Sequence, residues 1–339
     1  MPVLVTGATG HLGNTLCRTL LDDGRKVRGL VRASSDRTPL KDLDVEYVVG
    51  NLLMPDSLEK AMAGCDTVFH TAAVYRTWAP APEVDIIRPA VEGTRNVLEA
   101  AAKMNVRRLI YVSSVVAIGP GNTFYHHRDE TEWNTEATLP YNIAKTRAEQ
   151  LTHQLAEQLD LNVIFVLPTS ILGPNDYKIT PSTGMVRDFL NGKYPFYFDG
   201  AMSLVDVRDV ARGMLLAEEK GKIGTRYILG GEALTIKDIF DQLAEMTTRS
   251  APVIKLTRGL AKFIAAPMTA AANLFNFQPA ITSNMVDDLI DCYYNFESTL
   301  AQEELGYEYR PAIRVLEETI GWLIERGEIP ADLRIVENA

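Results

Sequence analysis

The chain has 339 residues, 46% hydrophobic and 23% charged, enough for one large or two small buried cores. Its net charge of −10 and pI near 5.1 argue against a nucleic-acid surface, which needs clustered Lys and Arg. Three widely spaced cysteines, Cys17, Cys65 and Cys292, offer no metal spacing and no disulfide framework. They fit a reducing cytoplasm, and no basic segment with an apolar core suggests a secretory signal, so a cytoplasmic location is expected.

Strands are predicted at 3–6, 26–31, 45–49, 66–70, 107–113 and 162–167, and helices near 11–23, 56–63, 83–103 and 141–159. Strands separated by helix-length segments imply βαβ units and a parallel sheet covered on both faces. Between the first strand and helix lies Thr6-Gly7-Ala8-Thr9-Gly10-His11-Leu12-Gly13. Such a turn aims backbone N–H groups and a helix N-terminus at a phosphate. Gly7 permits the tight turn, Gly10 lets a pyrophosphate approach, and Gly13 permits close helix–strand packing. The candidate cofactor contacts here are Gly7, Thr9, Gly10, His11, Leu12 and Gly13.

The second strand ends at Arg32, where an acid would bind the ribose of NAD and an Arg accommodates the 2′-phosphate of NADP. With Ser34, Ser35 and Arg37 nearby, NADP is expected over NAD, with Arg32 and Ser35 as contacts. Asn51 and Leu52 follow the third strand and are placed at the adenine. Thr71, Ala72 and Ala73 follow the fourth, where small residues let backbone approach the cofactor.

Ser113 and Ser114 end the fifth strand and point to opposite faces. Ser114 is assigned to the substrate oxygen and Ser113 to the cofactor side. In Tyr141-Asn142-Ile143-Ala144-Lys145 the i, i+4 spacing projects Tyr141 and Lys145 from one helix face. A neighbouring ammonium, together with an oxidised nicotinamide, is expected to lower the phenol pKa and make Tyr141 a general acid or base. The predicted catalytic set is Ser114, Tyr141 and Lys145.

Beyond Gly173-Pro174 the texture changes. Residues 174–204 read as loops around a short helix, a further helix starts near Val207 behind Asp206, and others lie at 235–247 and 311–326. A division into a cofactor-binding domain over 1–173, with 203–230 returning to it, and a substrate domain over 174–330 is expected. Tyr75, Trp78, Tyr177 and Phe196 are candidate substrate contacts, with Tyr197, Phe198 and Met202 nearby, and suit a bulky lipophilic ketone, aldehyde or alcohol. For 260–275, which places Leu260, Phe263, Ile264, Leu274 and Phe275 at helical spacing, a substrate lid or buried helix stands beside a dimer or peripheral membrane contact. A homodimer pairing 83–103 and 141–159 is a further expectation.

The ordered set Thr6–Gly13, Phe69–Ala73, Val91–Thr94, Tyr111–Ser114, Tyr141–Lys145, Pro168–Pro174 and Val205–Ala211 resembles the extended short-chain dehydrogenase/reductase superfamily. The resemblance implies an α/β, Rossmann-type doubly wound parallel sheet with a smaller C-terminal α/β substrate domain, and a Ser/Tyr/Lys triad. It also implies nicotinamide contacts around Pro168 and Ile171. Within the superfamily the chain is similar to dihydroflavonol 4-reductase-like and 3β-hydroxysteroid dehydrogenase-like proteins, with parts similar to hopanoid-associated sugar epimerase-like proteins. Ser170 and Met202 stand where sugar-nucleotide epimerases usually carry Asn and Arg, and Ala90 where many members carry Asn. The leading expectation is an NADP-dependent oxidoreductase acting on a lipophilic substrate. A cofactor-retaining nucleotide-sugar epimerase or dehydratase, and an NADP-binding redox sensor, are the alternatives.

Overall fold

The computed structural model describes residues 1–330 except Val74 and Gln278, together with Leu333. Strands β1 (Val3–Thr6), β2 (Val27–Val31), β3 (Val45–Val49), β4 (Thr67–His70), β5 (Arg108–Val112) and β6 (Val163–Pro168) are interleaved with helices α1 (His11–Asp22), α2 (Pro55–Met62), α3 (Arg88–Lys103) and α4 (Pro140–Gln158). There follow β7 (Ser170–Leu172), α5 (Pro181–Leu190), β8 (Phe196–Tyr197), β9 (Gly200–Asp206), α6 (Val207–Lys220) and β10 (Arg226–Leu229). The chain continues through β11 (Glu232–Thr235), α7 (Ile236–Met246), β12 (Ile254–Lys255), α8 (Arg258–Phe275), α9 (Ser283–Leu289), β13 (Cys292–Tyr294), α10 (Thr299–Leu305) and α11 (Ala312–Glu325).

Seven strands form one parallel sheet in the order β10-β6-β5-β4-β1-β2-β3. Short runs such as Val3–Thr6 and Val163–Pro168 are buried along their whole length, as a sheet covered on both faces requires. One face packs Leu12, Leu16 and Leu20 of α1 with Val210 and Met214 of α6. The other packs Leu58 and Met62 of α2, Val97 and Ala101 of α3, and Leu155 of α4. The strand order turns outward in both directions from β1 and β4, so their carboxyl ends flank the crevice where ligands of such sheets bind.

A smaller sheet is built on β9, which pairs antiparallel with β11 and parallel with β7 and β13. Its apolar cluster joins Val186 and Phe189 of α5, Ile239 and Leu243 of α7, and Val315 and Leu316 of α11. The loop reading of 174–204 therefore missed most of β9: Gly200-Ala201-Met202-Ser203 has little strand propensity of its own, and three partner strands hold it. Helix α3 begins later than expected, because a π-turn over Glu83–Ile87 precedes it and Pro89 occupies its first turn.

Helix α8 forms where 260–275 was read, but the buried-helix alternative does not hold. Only Ala261, Ala265 and Ala272 are buried, whereas Phe263, Leu274 and Phe275 are 79%, 76% and 72% exposed. The helix rests on a small cluster with Val286 and Ile290, too narrow to cover its larger side chains. No described helix is long and apolar enough to cross a membrane.

Candidate active site

The turn after β1 is built by close backbone contact. Gly7 has φ +69°, and a Cβ there would lie 2.8 Å from the backbone of Ala72. A Cβ on Gly13 would lie 2.1 Å from the Gly7 carbonyl oxygen, so α1 can start this close only with glycine. Around Gly10 the sole close atom is that same oxygen at 3.2 Å. Helix α1 has no side-chain cap at Gly10 and no acid in its first turn. Its first N–H groups, including those of Leu12 and Gly13, therefore lack a side-chain partner, which suits a diphosphate. Thr9, Leu12 and His11 are buried against the turn. His11 Nε2 bonds the Pro174 carbonyl at 2.9 Å, and Asn14 Nδ2 donates to the carbonyls of Gly10 and Asn175 at 2.7 and 3.0 Å. Burial holds the His11 pKa below its ordinary value.

Beside this turn, Thr71 Oγ1 donates to the Thr6 carbonyl at 2.6 Å, and the Ala72 N–H donates to Thr6 Oγ1 at 3.3 Å. Ala73 follows in the same loop. Arg32 and Ser35 lie in one turn beyond β2, where Ser35 Oγ accepts from the Arg32 N–H at 3.2 Å. The Arg32 side chain is exposed, with no hydrogen bond or ion pair among the described residues. Asn51 Oδ1 accepts from the Leu53 N–H at 3.1 Å, and Asn96 of α3 holds the Leu52 carbonyl at 2.9 Å. Pro168 ends β6 beside Leu229, and Ile171 pairs with Val205 in the smaller sheet.

Ser114, Tyr141 and Lys145 come together at the carboxyl end of β5. Pro140 opens α4, which brings the Tyr141 phenol beside the hydroxyl of Ser114. The ring of Tyr75 packs edge-on against Tyr141 with centroids 4.5 Å apart. One turn along, Lys145 Nζ donates to the Val112 carbonyl at 2.9 Å. Desolvation lowers the Lys145 ammonium from 10.5 to about 8, against the opposing field of Glu149.

The protein's own groups do not by themselves depress the Tyr141 pKa. Desolvation, followed by the neighbouring Tyr75 and Tyr111, pushes the phenol well above its ordinary value, and the Ser114 hydroxyl opposes this only in part. The group is therefore held in its acid form.

The hydroxyl of Ser113 donates to Glu149, which follows Lys145 by one turn on α4. Glu149 is fully buried and also accepts from Arg226 Nε at 2.7 Å. Arg226 lies over the Trp133 ring at 4.1 Å and donates to the Glu132 carbonyl at 2.8 Å. A buried carboxylate needs such pairing. The sequence reading missed Glu149, although it stands one further helical turn after Lys145; Arg226, on β10, left no local signal. His70, also missed, shares its Nδ1 with Thr6 Oγ1 at 2.8 Å. Burial, reinforced by Lys145, pushes its pKa down to about 3.

The predicted substrate contacts do not all converge. Tyr75 touches Tyr141, and Trp78 is buried nearby in the chain. Tyr177 instead packs against Trp322 of α11 and under Arg326. Phe196 and Phe198 pack on the α8–α9 cluster, and Tyr197 and Met202 on that of the smaller sheet.

Residues 3–230 match the NAD-dependent epimerase/dehydratase family. A Synechocystis sp. protein that bears the name dihydroflavonol 4-reductase is 34% identical over 330 residues, covering 96% of this chain and 95% of that one. Sterol demethylase protein B of Methylococcus capsulatus is 31% identical over 335 residues, covering 97% and 100%. The crystal structure of gox2253 superposes with a TM-score of 0.85 at 37% identity, covering 97% and 99%. The chain belongs to the NAD-dependent epimerase/dehydratase family and is an NAD(P)-dependent oxidoreductase of the extended short-chain dehydrogenase/reductase type.

Proposed function

We propose that the protein is an NADPH-dependent reductase of a carbonyl on a bulky, lipophilic molecule with sterol-, terpenoid- or flavonoid-like rings. The observation that carries this reading is the Tyr141 phenol beside the Ser114 hydroxyl, with Lys145 one turn along the same helix. Burial keeps the phenol protonated, as a proton donor to a carbonyl must be. NADPH, when bound, supplies a hydride to the carbonyl carbon. Ser114 orients the carbonyl oxygen, Tyr141 gives that oxygen its phenolic proton, and Lys145 holds the cofactor ribose side of the site and stabilises the phenolate left behind.

The glycine turn would hold the diphosphate, and the exposed Arg32 with Ser35 would hold a 2′-phosphate. Asn51 and Leu52 would flank the adenine, and Thr71–Ala73, Pro168 and Ile171 the nicotinamide side. Residues 174–330, apart from strands that return to the large sheet, would form most of the substrate-binding part. Met202 packs among apolar side chains, which favours a lipophilic ligand over a nucleotide diphosphate at that strand. The names of the dihydroflavonol and sterol relatives point the same way.

The test is NADPH oxidation with a panel of ring ketones and aldehydes beside nucleotide sugars, using wild type and Tyr141→Phe. Turnover of a ring compound that Tyr141→Phe abolishes is expected. Conversion of nucleotide sugars without net NADPH oxidation would falsify the reductase reading in favour of an epimerase.

A further inference from the structure

Helix α4 presents Tyr141 in its first turn yet lacks a cap of its own. Its N-cap residue is Leu139, it has no side-chain cap bond, and its first turn contains no acid. The missing carboxylate arrives from far along the chain. Asp288 of α9, 7% exposed, directs Oδ2 at the Leu139 N–H at 3.0 Å and at Asn142 Nδ2 at 2.8 Å. Its Oδ1 accepts from Thr138 Oγ1 at 2.8 Å and from the Thr138 N–H at 3.2 Å. Asn284, one turn earlier on α9, donates to the Thr138 carbonyl at 2.6 Å.

We propose that Asp288 is a positioning residue for Tyr141: it caps the catalytic helix from α9 and so fixes where the phenol meets Ser114. A negative group at a helix N-terminus is favourable, and here it holds the N–H groups of Thr138 and Leu139, which lead into the helix, together with the Asn142 side chain of its first turn. Asn142 links the cap to the residue beside the phenol, and α9 carries the cap on the elements that follow β9. The first turn of α4 and the substrate-side elements are thereby tied at one carboxylate.

The role assigned to Asp288 rests on the reading of Tyr141 as proton donor, but one of its tests does not. In the full chain, with NADPH present, hydrogen exchange is compared among wild type, Asp288→Asn and Asp288→Ala. Asp288→Ala is expected to raise exchange at 138–146 by about tenfold, with Asp288→Asn between, and to leave β1 and β5 as in wild type. Unchanged protection at 138–146 in both variants overturns the proposal, as does a uniform rise across the chain in Asp288→Asn.

The second measurement uses the ring compound reduced fastest in the panel. For Asp288→Ala, kcat is expected to fall about tenfold while KM for NADPH stays within about twofold. Asp288→Asn, which keeps one acceptor oxygen, recovers part of the rate. A loss carried by KM alone overturns the positioning role. If Tyr141→Phe is inactive while Asp288→Ala retains full kcat, this proposal alone fails. If Tyr141→Phe is fully active, the reading of the site fails and takes the proposal with it.

Discussion

Lys145 should be a liability to the fold and a necessity to the reaction. Its ammonium is partly buried, and desolvation brings it from 10.5 to about 8. Below pH ~8 the group is protonated in both folded and unfolded chains, and the folded chain bears the full penalty, roughly 3 kcal/mol. Solvent at the crevice reduces this to about 2 kcal/mol. Lys145→Met keeps the stem volume and removes the charge. It leaves the Val112 carbonyl without its donor, an offset of about 1 kcal/mol. The net expectation near pH 7 is a gain of about 1 kcal/mol, or a rise in Tm of about 2 °C for a chain of this size. Further up the scale the sign reverses. As pH rises from about 8 towards 10.5, the folded wild type sheds its proton before the unfolded chain does, so its stability climbs, the advantage of the variant shrinks, and the lost Val112 bond finally leaves the variant the less stable of the two. Thermal denaturation of both proteins across this range measures the difference, and NADPH oxidation measures the loss of turnover. A variant less stable than wild type near pH 7, or a difference independent of pH, refutes the reasoning.

Three further outcomes follow from the same geometry. His70 is held neutral, with its pKa near 3 against an ordinary 6.5, so the unfolded chain takes up a proton first as pH falls through that window. It should account for up to ~4 kcal/mol of acid lability, and His70→Gln should flatten the acid limb of a denaturation-versus-pH curve. Gly13→Ala puts a Cβ 2.1 Å from the Gly7 carbonyl and should depress Tm, whereas Gly10→Ala meets one atom at 3.2 Å and should chiefly weaken NADPH binding, read by fluorescence titration. Glu149→Gln leaves Arg226 buried without its carboxylate and should cost about 3 kcal/mol in urea denaturation. Replacing both, as in Glu149→Leu with Arg226→Met, should recover most of that loss.

What local spacing can and cannot convey is clearest along α4. The strand–glycine–helix unit at 3–22 and the Tyr141/Lys145 pair were legible because each depends on neighbours within a few residues. The expected strands and helices of the large sheet recur in the structure with small shifts at their ends. Strand β9 was largely illegible because its pairing partners, not its own residues, make it extended. For Ser113 and Ser114, alternation correctly gives opposite faces, but it cannot say what waits on each. Glu149 waits beneath Ser113, and Tyr141 stands beside Ser114.

The same holds for the i, i+4, i+8 series of Tyr141, Lys145 and Glu149. One helix face carries all three, yet they differ in depth: Tyr141 and Lys145 border the crevice, and Glu149 is fully enclosed. That depth is set by Arg226, arriving on β10 to neutralise the carboxylate, and the start of the series is set by Asp288, arriving on α9. Chemistry-bearing residue types are therefore readable from a helical repeat. Their protonation and aim depend on partners far along the chain, so substitutions at Arg226 and Asp288 should alter the behaviour of Tyr141 and Lys145 although neither residue belongs to the motif.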